Sequence, residues 1–123
     1  MAWDIKVTLE DRPGALAHLG EATGAAGINL DGGCGFLCEE GAKEVFHFLV
    51  EDPAAARQAC EAAGGHVGER EVLVVDVDDR PGELGRIARR ITDAGVNIDL
   101  FYLAADTRFV IGVDDLDAAR AAL

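Results

Sequence analysis

Two stretches of the sequence carry residue types suited to holding a small charged ligand: Asp11-Arg12-Pro13-Gly14-Ala15-Leu16 and Asp79-Arg80-Pro81-Gly82-Glu83-Leu84. Each reads as the junction between a strand and a helix. Pro13 and Pro81 suit a first helical turn, where a missing N–H costs little, with Asp11 or Arg12, and Asp79 or Arg80, at the boundary. A helix start exposes unpaired amides, here at about Gly14, Ala15 and Leu16 and at Gly82, Glu83 and Leu84. Its dipole favours an anion by ~0.3–1 kcal/mol. Gly14 and Gly82 permit close approach, Asp11 and Asp79 are acceptors for a cationic group, and Asn29 and Asn97, expected beside these turns, carry amides that both donate and accept. The same residues also have a plain structural reading, with Asp as helix cap, Gly27 and Gly95 as helix stops, and the asparagines bonded to local backbone. Glu83 stands where the first stretch has Ala15, and its carboxylate is expected to repel an anion, so the two sites need not be equivalent.

Other constellations point to less. Cys34 and Cys38, if both on one strand, lie four residues or ~13 Å apart, too far to share a metal ion. With Cys60 they make an odd number of cysteines, which fits reduced thiols rather than a disulfide framework. His18, His47 and His66 show no ligand spacing, and His47 reads as a satisfied or solvent-facing strand residue. No nucleophile pairs with a base, so no catalytic residue, metal or cofactor is expected, and the chain reads as a binding protein rather than an enzyme. Asp31-Gly32-Gly33-Cys34-Gly35 follows a strand start instead of joining a strand to a helix, so it lacks the context of a phosphate cradle and suggests a bulge or a ligand-adjacent backbone. Arg86, Arg89 and Arg90 form a basic stripe, with Glu83 and Asp93 spaced for intrahelical ion pairs.

The elements that must position the two turns come from an internal repeat. At an offset of 68, residues 11–31 and 79–99 are identical at nine of 21 positions, including Asp11/Asp79, Gly14/Gly82 and Asn29/Asn97, which is far beyond chance. The alternating Ile5, Val7 and Leu9 predict a strand, and the apolar run Val72-Leu73-Val74-Val75 a more buried one. Helices follow, with Leu16, Leu19 and Ala26, and Leu84, Ile87, Ile91 and Ala94, expected on the buried faces. Ile28-Asn29-Leu30 and Val96-Asn97-Ile98 open second strands, paired in hairpins with residues 45–50 and 108–113 after turns near Glu40-Gly41 and Asp106-Thr107. Second helices follow from Pro53 to Ala63 and around residues 116–120. His66-Val67-Gly68-Glu69-Arg70 supplies a last strand to the first repeat, whereas the second has no such tail. The expected fold is therefore α+β: two tandem ferredoxin-like βαββαβ units, residues 1–70 and 71–123, with antiparallel sheets, helices on one face, and the second unit lacking an obvious last strand. An edge left open in this way favours pairing between chains.

Both repeats, through Asp-Arg-Pro-Gly-x-Leu and the later Gly-(Ile/Val)-Asn-(Leu/Ile), resemble the ACT domain, a regulatory amino-acid-binding module. The resemblance implies units that pair, here as a homodimer, and a free amino acid bound between the turn and a facing unit. It also implies control of an enzyme, or in trans of a partner such as a transporter. An amino acid's carboxylate and ammonium match the donors and acceptors of the turn, and the ligand contacts implied by the family fall on Asp11, Gly14, Ala15, Leu16 and Asn29 and on Asp79, Gly82, Glu83, Leu84 and Asn97. Nearly the whole chain is taken up by the two units, so it is expected to stand alone. The alternative is an assembly or interaction module whose ligand sites are vestigial.

Composition narrows the partners. A formal net charge of −12 opposes a phosphate backbone, so nucleic acid and anionic membranes are not expected partners. No apolar run approaches the ~18 residues of a membrane helix, and the N-terminal residues 1–6 read as no export signal, which makes the cytoplasm the expected location.

Overall fold

The computed structural model describes residues 1–123 and is an α+β structure of four helices and six antiparallel strands. In chain order these are β1 (Ala2–Glu10), α1 (Ala15–Ala25), β2 (Gly32–Cys38), β3 (Lys43–Val50), α2 (Pro53–Ala62), β4 (His66–Asp76), α3 (Glu83–Asp93), β5 (Ile98–Ala104), β6 (Arg108–Val113) and α4 (Leu116–Ala122). The chain divides into two compact units, Trp3–Arg70 and Glu71–Leu123. No helix is long and apolar enough to cross a membrane.

In the first unit β3 pairs with β1 on one side and β2 on the other, both antiparallel. Period-two alternation sends Ile5, Val7 and Leu9 to one face, where they bury against Leu19 of α1 and Ala56 and Cys60 of α2. Each fully buried aliphatic side chain there contributes about 1.5–3 kcal/mol relative to exposure. In the second unit β6 lies between β4 and β5, and Leu73, Phe109, Ile111 and Val113 bury with Ile87, Ile91 and Ala119.

Several elements differ from the sequence expectation. The buried stripe of α1 is Ala15, Leu19 and Thr23, and that of α3 is Glu83, Ile87 and Ile91, each an i, i+4, i+8 row. Leu16 and Leu84, expected in the core, are instead 52% and 47% exposed, and Ala26 and Ala94 lie at the helix ends outside it. The polar members of these rows are accommodated because they are satisfied: the Thr23 hydroxyl donates to the Leu19 carbonyl at 3.0 Å, and Glu83 has partners described below. His66–Arg70 and Val72–Val75, read as two strands, form the single strand β4, in which Val74 and Val75 are only partly buried, so the run is no more buried than β1.

The glycines of β2 do not form a bulge. Pairing with β3 is continuous from Gly32 opposite Leu49 to Cys38 opposite Lys43, and the irregularity lies instead between Ile98 and Leu100 of β5. Gly33 and Gly35 stand opposite Phe48 and Phe46, whose rings lie over them: a Cβ on Gly35 would sit 2.4 Å from Phe46 Cδ1, and one on Gly33 2.9 Å from Phe48 Cδ1. The strand forgoes side chains so that its neighbour's rings can occupy their place.

Candidate functional site

The two repeated turns are built alike, and each helix starts two or three residues later than expected. The N-caps of α1 and α3 are Gly14 (φ 91°) and Gly82 (φ 90°), with no side-chain cap at either, while Pro13 and Pro81 precede the helices and Asp11 and Asp79 do not cap them. The chain reverses direction immediately after the proline through a left-handed residue, a conformation that only glycine adopts at little cost. His18 N–H donates to the Gly14 carbonyl at 2.9 Å and Arg86 N–H to that of Gly82 at 3.0 Å, which fixes the first intrahelical bonds. The Ala15 amide is spent on the Arg12 carbonyl at 3.3 Å. The donors left open by helix geometry are therefore those of Leu16 and Ala17 in the first unit and of Glu83, Leu84 and Gly85 in the second.

The asparagines are elsewhere, which corrects their expected place beside the turns. Glu10, Lys43 and Cys38 share one level of the first sheet, and the Asp11 amide donates to Ala42 at that end. Trp3, Val50 and Gly32 mark the opposite end, and Asn29 precedes Gly32. Seven residues of strand separate the two levels, roughly 23 Å. The same holds in the second unit, where beyond Ile98 the Asp114 amide donates to the Asn97 carbonyl and the Asn97 amide to the Asp114 carboxylate, while Asp79 follows the far end of β4. Asn29 donates its side-chain amide to Asp31, beside a hollow of about 320 Å³ that also takes in Glu51 and Asp52. Three carboxylates with no lysine or arginine in the lining make that hollow a poor seat for an anion.

Beside each turn lies a larger hollow. In the first unit it is about 450 Å³ and is bounded by Leu16, Leu30, the glycine run of β2, Phe46 and Phe48. In the second it is about 500 Å³ and lies between the 78–84 turn and the β5–β6 hairpin, with Leu84, Phe101, Leu103, Arg108 and Phe109 among its walls. Asp11, Gly14, Ala15 and Leu16 are thus gathered at one end of the first unit, and Asp79, Gly82, Glu83 and Leu84 at the corresponding end of the second. Glu83 is committed internally: its buried carboxylate accepts from the Asp78 amide at 3.0 Å and from Arg86 Nε at 2.7 Å, with Arg80 at 3.7 Å. The Arg86 hydrogen bond, then that of Asp78, hold its carboxyl down to about 2 from an ordinary 4.5. Two guanidiniums match its charge, so the repulsion expected of a free carboxylate at this helix start is offset.

One polar pair escaped the sequence reading. Asp4 and His47, on neighbouring strands, are both buried, with His47 Nδ1 2.8 Å from Asp4 Oδ2. The ring of Phe36 stacks on His47 with centroids 6.3 Å apart, and Cys34 is the cross-strand partner of His47. Burial, and secondarily Asp4, push the Cys34 thiol up, which keeps it protonated and a poor nucleophile. Only the strand register brings these residues together; their spacing along the chain carries no signal. Arg86 and Arg89 make the intrahelical pairs their spacing suggested, Arg86 with Glu83 and Arg89 with Asp93 at 3.8 Å.

Two units, each with an open helix start beside a hollow, define a class of small α+β protein whose fold recurs in solved structures. A protein from Bacteroides thetaiotaomicron is similar over 98% of this chain and 85% of its own, with a TM-score of 0.82 and 22% identity. The regulatory subunit of aspartate kinase from Thermus thermophilus, in its ligand-free form, is similar over 99% of this chain and 87% of its own, with a TM-score of 0.75 and 20% identity. That from Thermus flavus covers 98% and 89%, with a TM-score of 0.69 and 20% identity. No curated protein matches the chain in sequence. Residues 72–123, which make up nearly all of the second unit, match the ACT domain family.

Proposed function

We propose that this chain is a regulatory module that binds a free amino acid, built from two tandem ferredoxin-like ACT units, residues 1–70 and 71–123, the first joined to the family through the repeated turn. The observation that carries this reading is the duplicated glycine-capped helix start, whose first-turn amides have no side-chain cap, next to a hollow large enough for an amino acid. The amides receive the carboxylate, Asp11 or Asp79 receives the ammonium, and the side chain enters the hollow. The similarity of fold to regulatory subunits of aspartate kinase supports a role in controlling a partner enzyme. Because turn and asparagine lie at opposite ends of a unit, a ligand touching both takes the turn from one unit and the amide from a facing unit, and a homodimer is the working form this reading proposes.

A second reading, an assembly module with vestigial sites, is favoured by one observation: Phe36, Leu37 and Leu103 are large, apolar and more than half exposed. A thermal-shift screen against the twenty amino acids at millimolar concentration separates the two, because a ligand that binds only the folded state raises stability by mass action. A saturable rise with one amino acid or a related few supports the regulator. A flat response to all twenty refutes it and leaves the assembly module.

A further inference from the structure

The hollow of the second unit has a polar rim and apolar walls. Its polar groups are confined to residues 78–83, with the Glu83 carboxylate already paired, and to the Thr107-Arg108 corner, where Arg108 Nε donates to the Ala105 carbonyl at 2.7 Å and is thereby held in place. The walls are Leu84, Phe101, Leu103 and Phe109. Phe101 stands edge-on to Phe109, centroids 5.1 Å apart and planes at 80°, which makes that wall stiff. Leu103 is 64% exposed and Leu84 nearly half, so both keep apolar surface in water until something covers it. At about 500 Å³ the space is more than glycine or alanine would fill.

We propose that this hollow selects α-amino acids with a bulky hydrocarbon side chain, of the size of leucine, isoleucine, methionine or phenylalanine, and that Leu103 and Phe101 set the preference. The inference rests on the amino-acid-binding reading above and adds the ligand class. The polar rim takes the charged backbone of the ligand and the four apolar walls take its side chain. A hydroxyl, amide or charge on that side chain would meet no partner among Leu84, Phe101, Leu103 and Phe109, and a site walled in this way discriminates by about tenfold or more. The Phe101 and Leu103 walls belong to the second unit alone. At the 68-residue offset of the repeat, Phe101 and Leu103 correspond to Gly33 and Gly35, over which Phe48 and Phe46 lie, so the first unit lacks these two walls.

The test is calorimetric titration of the full chain with leucine, isoleucine, methionine, phenylalanine, threonine, lysine, aspartate and glycine, repeated with Leu103→Ala. The expected result is saturable binding of at least one hydrocarbon amino acid about tenfold tighter than any polar one, weakened about five- to tenfold by Leu103→Ala. Because Leu103 is exposed, that variant keeps the melting temperature of the ligand-free protein, which separates lost contact from lost fold. Tightest binding of a polar amino acid, or unchanged affinity in Leu103→Ala, overturns the ligand class and leaves the amino-acid-binding reading standing. Silence from all twenty amino acids in the thermal-shift screen defeats both.

Discussion

Gly82 and Gly85 stand three residues apart in the second unit, and the same replacement by alanine is expected to act on them with opposite sign. Gly82 caps α3 at φ 90° and ψ −7°, whereas Gly85 lies inside the helix. A Cβ at either position meets no atom within 4 Å, so neither change creates a clash and the outcome is decided by the backbone alone. Placing an L-residue in the left-handed region costs about 1–2 kcal/mol. Replacing a helical glycine gains up to about 0.8–1 kcal/mol, the full value applying to the helix interior and less to the first turn where Gly85 lies. With an unfolding entropy of roughly 2.1 cal/mol/K per residue over 123 residues, 1 kcal/mol corresponds to about 4 °C. Gly82→Ala should therefore lower the melting temperature by about 4–8 °C, and Gly85→Ala should raise it by up to about 3–4 °C. Far-UV circular dichroism during heating and urea denaturation of both variants measures this directly, without ligand. Shifts of the same sign, or a neutral Gly82→Ala, would refute the left-handed cap and with it the account of how the turn exposes its amides.

Three further outcomes follow from particular contacts. The carboxyl of Glu83 sits at about 2 in the folded chain against 4.5 ordinarily, so its contribution is complete above pH 4.5 and is lost as pH falls towards 2; in urea titrations the gap between wild type and Glu83→Gln should be constant near neutrality and close over that acid window, and a gap that persists to the bottom of it would contradict the pairing. Asp52→Ala and Asp115→Ala each remove a carboxylate that accepts from a first-turn amide, at 3.1 and 3.0 Å, and each should cost about 1 kcal/mol in chemical denaturation. His47→Leu removes a partner of the buried Asp4 carboxylate and should destabilise by about 1–3 kcal/mol, against little or nothing for the same change at an exposed histidine such as His18.

The sequence showed most of the strands and helices because local signals carry them: alternation in β1, the Asp52 and Asp115 starts of α2 and α4, and the glycines that close α1 and α3. It misplaced what depends on where chain segments lie in space. Proline pointed to a first helical turn, but the glycine after it takes the cap, because a left-handed residue cannot be told from a helical one by residue type. Leu16 and Leu84 read as core since they are leucines at a plausible spacing. The observed row shifts by one position because Ala15 and a satisfied Glu83 can be buried, and this frees the leucines to wall the hollows. Asn29 and Asn97 share a motif with the turns in every copy of the repeat, yet an 11-residue helix, about 16 Å long, carries the chain away before they occur. The Asp4–His47 pair depends on strand register, which spacing along the chain does not reveal.

The two kinds of helix start in this chain differ in their openness to competition. At α2 and α4 the carboxylates of Asp52 and Asp115 are tethered three residues from the amides they satisfy, so their effective concentration far exceeds the millimolar level of any free metabolite, and an incoming carboxylate does not displace them. At α1 and α3 glycine brings no tethered rival. Of four helix dipoles per chain, two are occupied from within and two are open to solutes, an allocation written by a single residue at each cap.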